Sequence, residues 1–148
     1  MDIQSKSELR FTIPGDCRTK KNHMTIAGVG ARCPMCGKPH KQFIKQGSAH
    51  DQYASKAVWY LRPRPEKPID YPVNVKCLFY MGTHGRVDKS NLEACIHDLL
   101  VDVGILEDDN RDIIATTDGS MVLYDKQTPR VEITITRVEN YEQWRKRA

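Results

Sequence analysis

Acidic residues are concentrated in one short segment of the chain. Residues 86–112 hold eight Asp and Glu but only three Lys and Arg. Asp88 precedes a stretch with helical apolar spacing, and Asp108 and Asp109 follow that stretch. Carboxylates that come together in a fold bind Mg²⁺ or Mn²⁺, and these ions promote phosphodiester hydrolysis. The segment therefore predicts a metal-dependent site, unless its acids only complement a helix dipole and form a solvated turn.

A helix is predicted between these carboxylates. Asn91–Val103 carries apolar residues three and four positions apart, which gives one apolar face. Ser90 and Glu93 fit a capping box, and Gly104 is suited to end the helix. Such a helix is about 20 Å long. The carboxylates at its two ends therefore meet only if the chain after Gly104 folds back toward the start of the helix. Asp98 lies at the rim of the apolar face.

Cys33, Cys36 and His40 form a second group with a spacing that suits chemistry. Cys-x-x-Cys followed by Gly begins many zinc sites, because the turn directs both sulfurs to one ion. A fourth ligand has three candidates within the chain, besides a partner chain: His23, Cys17 and His50. Since no second Cys-x-x-Cys is present, a free or redox-active thiol pair is the alternative. A zinc ion here would stiffen a basic hairpin rather than catalyse.

The charge is distributed unevenly, although the net charge is only +4. Residues 1–70 carry 13 Lys and Arg against 6 Asp and Glu, whereas residues 71–148 carry 10 against 13. A basic half beside an acidic segment suits a protein that holds a polyanion next to metal ions. Two solvated faces of opposite sign are the alternative. We predict the following DNA-contacting residues: Lys20, Lys21, Asn22, Lys38, Lys41, Lys45, Arg86 and Asn91.

The elements that must position these residues form one α+β domain, with a mainly antiparallel sheet and two helices packed on it. Strands are predicted at Leu9–Ile13, at the two ends of an irregular hairpin over about 24–44 (the second strand around Gln42–Lys45), at Val73–Tyr80, at Ile113–Thr116 or Met121–Tyr124, and at Val131–Val138.

A first helix is predicted from Ser48 to about Leu61, with Tyr53, Ala57 and Tyr60 or their neighbours buried. The proline-rich sequence that follows ends it. Cys77 and Cys95 fall on apolar faces and are expected in the core. The polar tail after position 138 is expected to contain a short helix.

Composition excludes several classes of protein. No apolar run approaches the ~20 residues that a membrane span needs, and the first ten residues lack the apolar stretch of a secretory signal. We therefore expect a cytoplasmic protein whose five cysteines are thiols or metal ligands rather than disulfides. The chain shows neither a nucleotide-binding glycine loop nor a supported Ser-His-Asp arrangement.

The acidic segment resembles the signature of RusA-type Holliday junction resolvases, small and often prophage-encoded endonucleases. In that family, an Asp-x-Asp-Asn sequence precedes a helix that contains an Asp, and Gly and Asp-Asp follow. The N-terminal sequences Phe11–Gly15 and Thr19–Asn22, the helix around Tyr53 and the closing strand Val131–Val138 also resemble the family. The resemblance covers about residues 9–138.

This resemblance implies a homodimeric, Mg²⁺-dependent endonuclease that nicks four-way DNA junctions symmetrically in recombination and repair. Asp88 and Asp109 correspond to the first and last catalytic aspartates, Asn91 to the asparagine and Asp98 to the helix aspartate. We expect Asp88 and Asp109 to bind the metal, with Asp108 or Asp98 assisting.

Two positions depart from the family pattern. Ser90 stands where a second aspartate is expected, and Ala94 stands where a catalytic lysine is expected. The missing carboxylate is expected from one of three residues: Asp108, Glu93 or Asp98. The departures leave two alternatives open, which are an inactive junction-binding or DNA-binding protein of the same fold and a zinc-stabilised nucleic-acid adaptor.

Overall fold

The computed structural model of the protein describes residues 8–19, 25–27, 32, 34–38, 43–45 and 48–145. The strands are β1 (Leu9–Pro14), β2 (Thr25–Ala27), β3 (Phe43–Lys45), β4 (Val73–Met81), β5 (Ile114–Thr116), β6 (Met121–Tyr124) and β7 (Arg130–Arg137), and the helices are α1 (Ser48–Tyr60), α2 (Lys89–Asp102) and α3 (Tyr141–Arg145). Together they form the predicted α+β domain.

Strand β4 lies at the centre of a mixed five-stranded sheet. It pairs antiparallel with β7, which pairs antiparallel with β1, and these are the longer pairings. The other edge of β4 pairs in parallel with β5 near Val73 and with β6 from Leu78 to Met81. Between β5 and β6, the Ser120 hydroxyl accepts a hydrogen bond from the Cys77 amide at 3.0 Å. A side chain thus satisfies a backbone group where the two short strands leave a gap.

Strict alternation along β4 and β7 produces the hydrophobic core. Every second residue of β4, from Val73 to Met81, is buried, and β7 follows the same pattern. Buried side chains of α1 and α2 join those of the sheet in one cluster. Cys77 and Cys95 belong to this core, as predicted. Burial raises the pKa of Cys77 to about 12, so its thiol stays protonated at neutral pH.

The strands β2 and β3 pair antiparallel, as predicted for the hairpin, and they form a two-stranded sheet separate from the main one. Two other predictions differ from the structure. Both β5 and β6 form, where one strand was expected, because each covers a different part of the β4 edge. Tyr60 is 42% exposed rather than buried. The buried side of α1 instead passes through Tyr53, Ala57 and Leu61, which follow each other at four-residue spacing.

None of the helices among the described residues has both the length and the apolar content that crossing a membrane requires.

Truncation of a core residue of α2 tests this packing. Leu100 is fully buried, so Leu100→Ala is expected to lower the free energy of unfolding by about 2–5 kcal/mol, because it leaves a cavity in the core. Met121→Ala is the matched control, since half of the Met121 side chain is exposed. Urea unfolding measures both, and equal effects of the two substitutions would contradict the described core.

Candidate active site

A cleft of about 530 Å³ opens between the end of β1 and the start of α2. Its charged lining residues are Asp16, Arg18, Arg86 and Asp88. The Asp16 carboxylate accepts a hydrogen bond of 2.7 Å from the Gly82 amide, which joins the two walls of the cleft. A Cβ atom at Gly82 would lie 3.1 Å from Pro129 and 3.4 Å from Asp16. Glycine therefore permits the close approach of the walls.

Buried thiols and a tyrosine support the wall that contains Arg18. The Arg18 carbonyl accepts hydrogen bonds from Cys95 Sγ at 3.4 Å and from His50 Nδ1 at 2.8 Å. Hydrogen bonding to Cys95 and burial raise the pKa of Cys17, and burial raises that of Tyr53. The Cys17 thiol and the Tyr53 hydroxyl are therefore protonated at neutral pH and do not act as nucleophiles. The hydrogen bonds from Cys95 and His50 hold the backbone at Arg18.

Asp88 is the N-cap of α2 and lies in the cleft. Its Oδ1 accepts hydrogen bonds from the Ser90 amide at 3.0 Å, from the Asn91 amide at 3.4 Å and from the Ser90 hydroxyl. The predicted capping box of Ser90 and Glu93 is therefore wrong. A charged carboxylate two residues earlier takes the cap position, and Glu93 instead forms an ion pair with Lys89 at 3.1 Å.

The chain after α2 does not return to the start of that helix before Asp109. It turns at Gly104, which has a φ of +82°, as predicted for the helix end. It then runs beside Ile69, whose amide donates to the Ile105 carbonyl at 2.9 Å and whose carbonyl accepts from the Glu107 amide at 3.0 Å. This path leads to Val73, at the beginning of β4.

Asp88 is consequently at the start of α2, whereas Asp109 follows the turn beyond the other end of that helix along the chain. That helix has 14 residues and is about 20 Å long. Asp108 stabilises its own turn, since its two oxygens accept from the Asp109 amide at 2.7 Å and from the Asn110 side chain at 3.1 Å. Within the described part of the chain, no group of three His, Cys, Asp or Glu is arranged to hold a metal ion.

Three acids instead act on His97 in the middle of α2. Burial lowers the pKa of His97, and the nearby charges of Glu93, Asp109 and Asp98 oppose that change. The structure thus brings Asp98 and Asp109 to the same imidazole. The Nε2 atom of His97 is buried, and among the described residues it has no hydrogen-bond partner.

Only part of the predicted zinc segment lies within the described residues. Cys36 is exposed and ends a turn over residues 34–36, and Gly37 follows with a φ of +70°. Cys33, His40 and His23 lie outside the described residues, so zinc binding stays a prediction.

Only some of the predicted DNA-contacting residues lie within the described part of the chain. Arg86 is exposed and lines the cleft, Lys38 is exposed, and Asn91 is half-buried in the first turn of α2. Outside the described residues lie Lys20, Lys21, Asn22 and Lys41. Lys45 belongs to β3, but its side chain is not described. His84, four residues before Asp88, stacks on Tyr124 with 3.7 Å between ring centroids.

Sequence reasoning did not assign Asp16, Arg18 and Thr19 to the site. Thr19 is 3% exposed, and its buried hydroxyl has no hydrogen-bond partner among the described residues. The available signal was local: these polar residues directly follow the Pro14–Gly15 turn. The hydrogen-bond partners of Asp16 and Arg18 lie 32 to 77 positions away in the sequence, so a local pattern does not reveal them.

No protein-family model matches the chain, and no curated protein matches it either. Its function is therefore inferred from the cleft and the acidic segment.

The cap assigned to Asp88 can be tested separately from any activity. Asp88→Ala is expected to lower the free energy of unfolding by about 0.5–2 kcal/mol, because the first amides of α2 lose their acceptor. Asp88→Asn is the matched control, since the amide oxygen still accepts those hydrogen bonds. Urea unfolding in EDTA measures the difference. A loss in Asp88→Asn as large as that in Asp88→Ala would contradict the cap.

His97 predicts a pH dependence of stability. Its pKa is lowered in the folded protein, so below about 6.5 the unfolded chain binds the proton more readily than the folded chain. Stability is therefore expected to fall as the pH decreases from about 6.5 toward the folded pKa. His97→Gln should reduce this fall, as measured by urea unfolding in EDTA between neutral and mildly acidic pH. An unchanged pH profile in the variant would count against the assignment.

Proposed function

We propose that the protein is a Mg²⁺-dependent endonuclease that binds branched DNA as a homodimer and nicks it. The observation that carries this proposal is the cleft in which Asp88 lies with Arg18 and Arg86. Guanidinium groups bind phosphate oxygens in a bidentate manner, and a carboxylate beside them suits a hard divalent cation. The resemblance of residues 86–110 to RusA-type resolvases supports the same activity.

Two copies of the chain are needed to complete the proposed metal site. Carboxylates that share one Mg²⁺ each place an oxygen about 2.1 Å from the ion. Within one chain, Asp88 caps the start of α2 and Asp109 acts on His97, nine residues or about 14 Å farther along that helix. In a two-fold symmetric dimer, Asp88 of one copy meets Asp109 of the other, and symmetry repeats the contact. Two equivalent sites suit paired nicks in a four-way junction.

Each residue then has a distinct role. Asp88 and Asp109 hold the ion, with Asp108 or Asp98 assisting. A bound Mg²⁺ supplies an activated water and stabilises charge on the leaving oxygen. The basic N-terminal half contacts the DNA arms, so binding weakens as salt increases.

In this proposal, Ser90 positions the Asp88 carboxylate and does not bind the metal ion as an anion. Its hydroxyl donates to Asp88 Oδ1 and orients the carboxylate without adding a charge. With Asp88 and Asp109 alone, the metal site has one anionic ligand fewer than the family pattern. A weaker affinity for Mg²⁺ follows, because ligand charge contributes to the binding of hard cations.

A second candidate function is junction binding without cleavage. It is favoured by the cap itself, since one oxygen of Asp88 already accepts three hydrogen bonds. The absence of a lysine at Ala94 and of a carboxylate at Ser90 points in the same direction. This candidate predicts tight binding of a four-way junction with no nicks at any Mg²⁺ or Mn²⁺ concentration.

Mixing two inactive variants tests the shared site. Asp88→Asn and Asp109→Asn are each expected to abolish nicking of a labelled four-way junction while junction binding remains. In a mixed dimer, one of the two shared sites has both substitutions and the other has neither. An equal mixture that exchanges subunits should therefore recover about a quarter of the sites, and each mixed dimer should make single rather than paired nicks.

The controls separate the alternatives. A double variant with both substitutions, mixed with either single variant, restores no complete site and should stay inactive. Recovery in the mixture of single variants supports the endonuclease and the shared site. No recovery, although the native protein nicks the junction, would contradict sharing. A native protein that binds the junction but makes no nicks would favour the second candidate.

A further inference from the structure

Two aromatic side chains are exposed near the end of α1. Trp59 is 69% exposed and Tyr60 is 42% exposed, although large aromatic side chains contribute most to stability when they are buried. Lys56 and Arg62 lie against them. We call these four residues the Trp59 patch. The opposite side of α1 is the one that packs in the core, so the patch is not needed to attach the helix.

Cations cover only part of the aromatic surface. The Arg62 guanidinium lies 5.0 Å from the centre of the Trp59 ring, and the Lys56 ammonium lies 6.0 Å from that of Tyr60. Arg62 occupies one face of the indole, and the high exposure of Trp59 leaves much of the rest in contact with water. Residues 56–64 contain three Lys and Arg and no Asp or Glu. The patch is therefore both aromatic and positively charged.

The Trp59 patch belongs to the same helix that supports the cleft. His50, in the first turn of α1, donates to the carbonyl of Arg18, which lines the cleft. One turn before Trp59, the Lys56 ammonium donates to the Pro14 carbonyl at 3.2 Å. Nine residues separate His50 from Trp59, a distance of about 14 Å along a helix. This corresponds to about four nucleotide steps of 3.4 Å.

We propose that Trp59 stacks on an unpaired base of the DNA whose backbone occupies the cleft, with Arg62 and Lys56 contacting the adjoining phosphates. This inference rests on the proposed function, and it adds a residue that distinguishes branched or single-stranded DNA from a duplex. Paired bases keep their faces inside the stack, whereas an unpaired base offers one to an indole. An apolar protein partner suits the patch less, because it would bury two cations without an acid to pair them.

Fluorescence reports directly on the proposed contact. The chain has two tryptophans, Trp59 and Trp144, so the variant Trp144→Phe leaves Trp59 as the sole indole. In an Asp88→Asn background, which prevents cleavage, a four-way junction with unpaired bases at its centre and a single-stranded oligonucleotide should both quench this emission. A fully paired duplex of the same length should quench it much less. Equal quenching by the duplex would overturn the proposal.

Binding of the junction provides a second measurement that does not depend on Trp144. Trp59→Ala should weaken binding roughly 5- to 150-fold, the range for losing one base–aromatic stack, and Trp59→Phe should recover most of it. Trp59→Ala should leave the salt dependence of binding unchanged, because no phosphate contact is lost. Arg62→Gln should instead reduce the slope of that dependence by about one. Junction binding by Trp59→Ala within twofold of the native value would overturn the proposal.

Two further outcomes keep this proposal distinct from the proposed function. Paired nicks by the native protein, with unchanged junction affinity in Trp59→Ala, would leave the endonuclease intact and overturn the stacking. If the junction but not the duplex quenches Trp59, and the native protein makes no nicks, the stacking is supported and the endonuclease is contradicted. A change in sedimentation of Trp59→Ala in the absence of DNA would show that the patch is a protein interface, and would also overturn the stacking.

Discussion

The parallel pairing of β4 with β5 and β6 is the constraint on which the site depends. Parallel neighbours require a connection that crosses from one end of the sheet to the other, and α2 is that connection. The start of α2 therefore follows the end of β4, and the chain after α2 returns to the beginning of β4. The same geometry separates Asp88 from Asp109, which is why the proposed metal site requires a second copy of the chain.

Asp88 combines a structural role with the proposed catalytic one. As the N-cap it is held against the first amides of α2, where the helix dipole stabilises its negative charge. This anchoring fixes the carboxylate relative to Arg18 and Arg86 and, in the proposed metal site, reduces the entropy lost on binding the ion. The hydrogen bonds of the cap also use one oxygen of the Asp88 carboxylate. They therefore restrain the position of the side chain and make it a weaker ligand for the proposed metal ion.

Local patterns predicted the strands and helices because their periodicity depends on neighbouring residues. The alternation in β4 and β7 and the 3–4 spacing in α2 gave the correct elements. The capping box failed because both Asp88 and Ser90 are favourable caps, and the structure places the Asp88 carboxylate against the first amides of α2. The contact between Asp16 and Gly82 joins residues 66 positions apart, and the separation of the acidic residues depends on sheet order. Neither has a local signal.

Electrostatics connects the metal ion to the association of two chains. In the proposed dimer, carboxylates of Asp88 and Asp109 approach from different copies and repel each other until a cation lies between them. A divalent ion that binds only where both chains contribute also stabilises the dimer by mass action. Metal binding and dimerisation are then a single coupled equilibrium. An enzyme of this design completes its two sites together, which suits the cleavage of two symmetry-related strands within one bound junction.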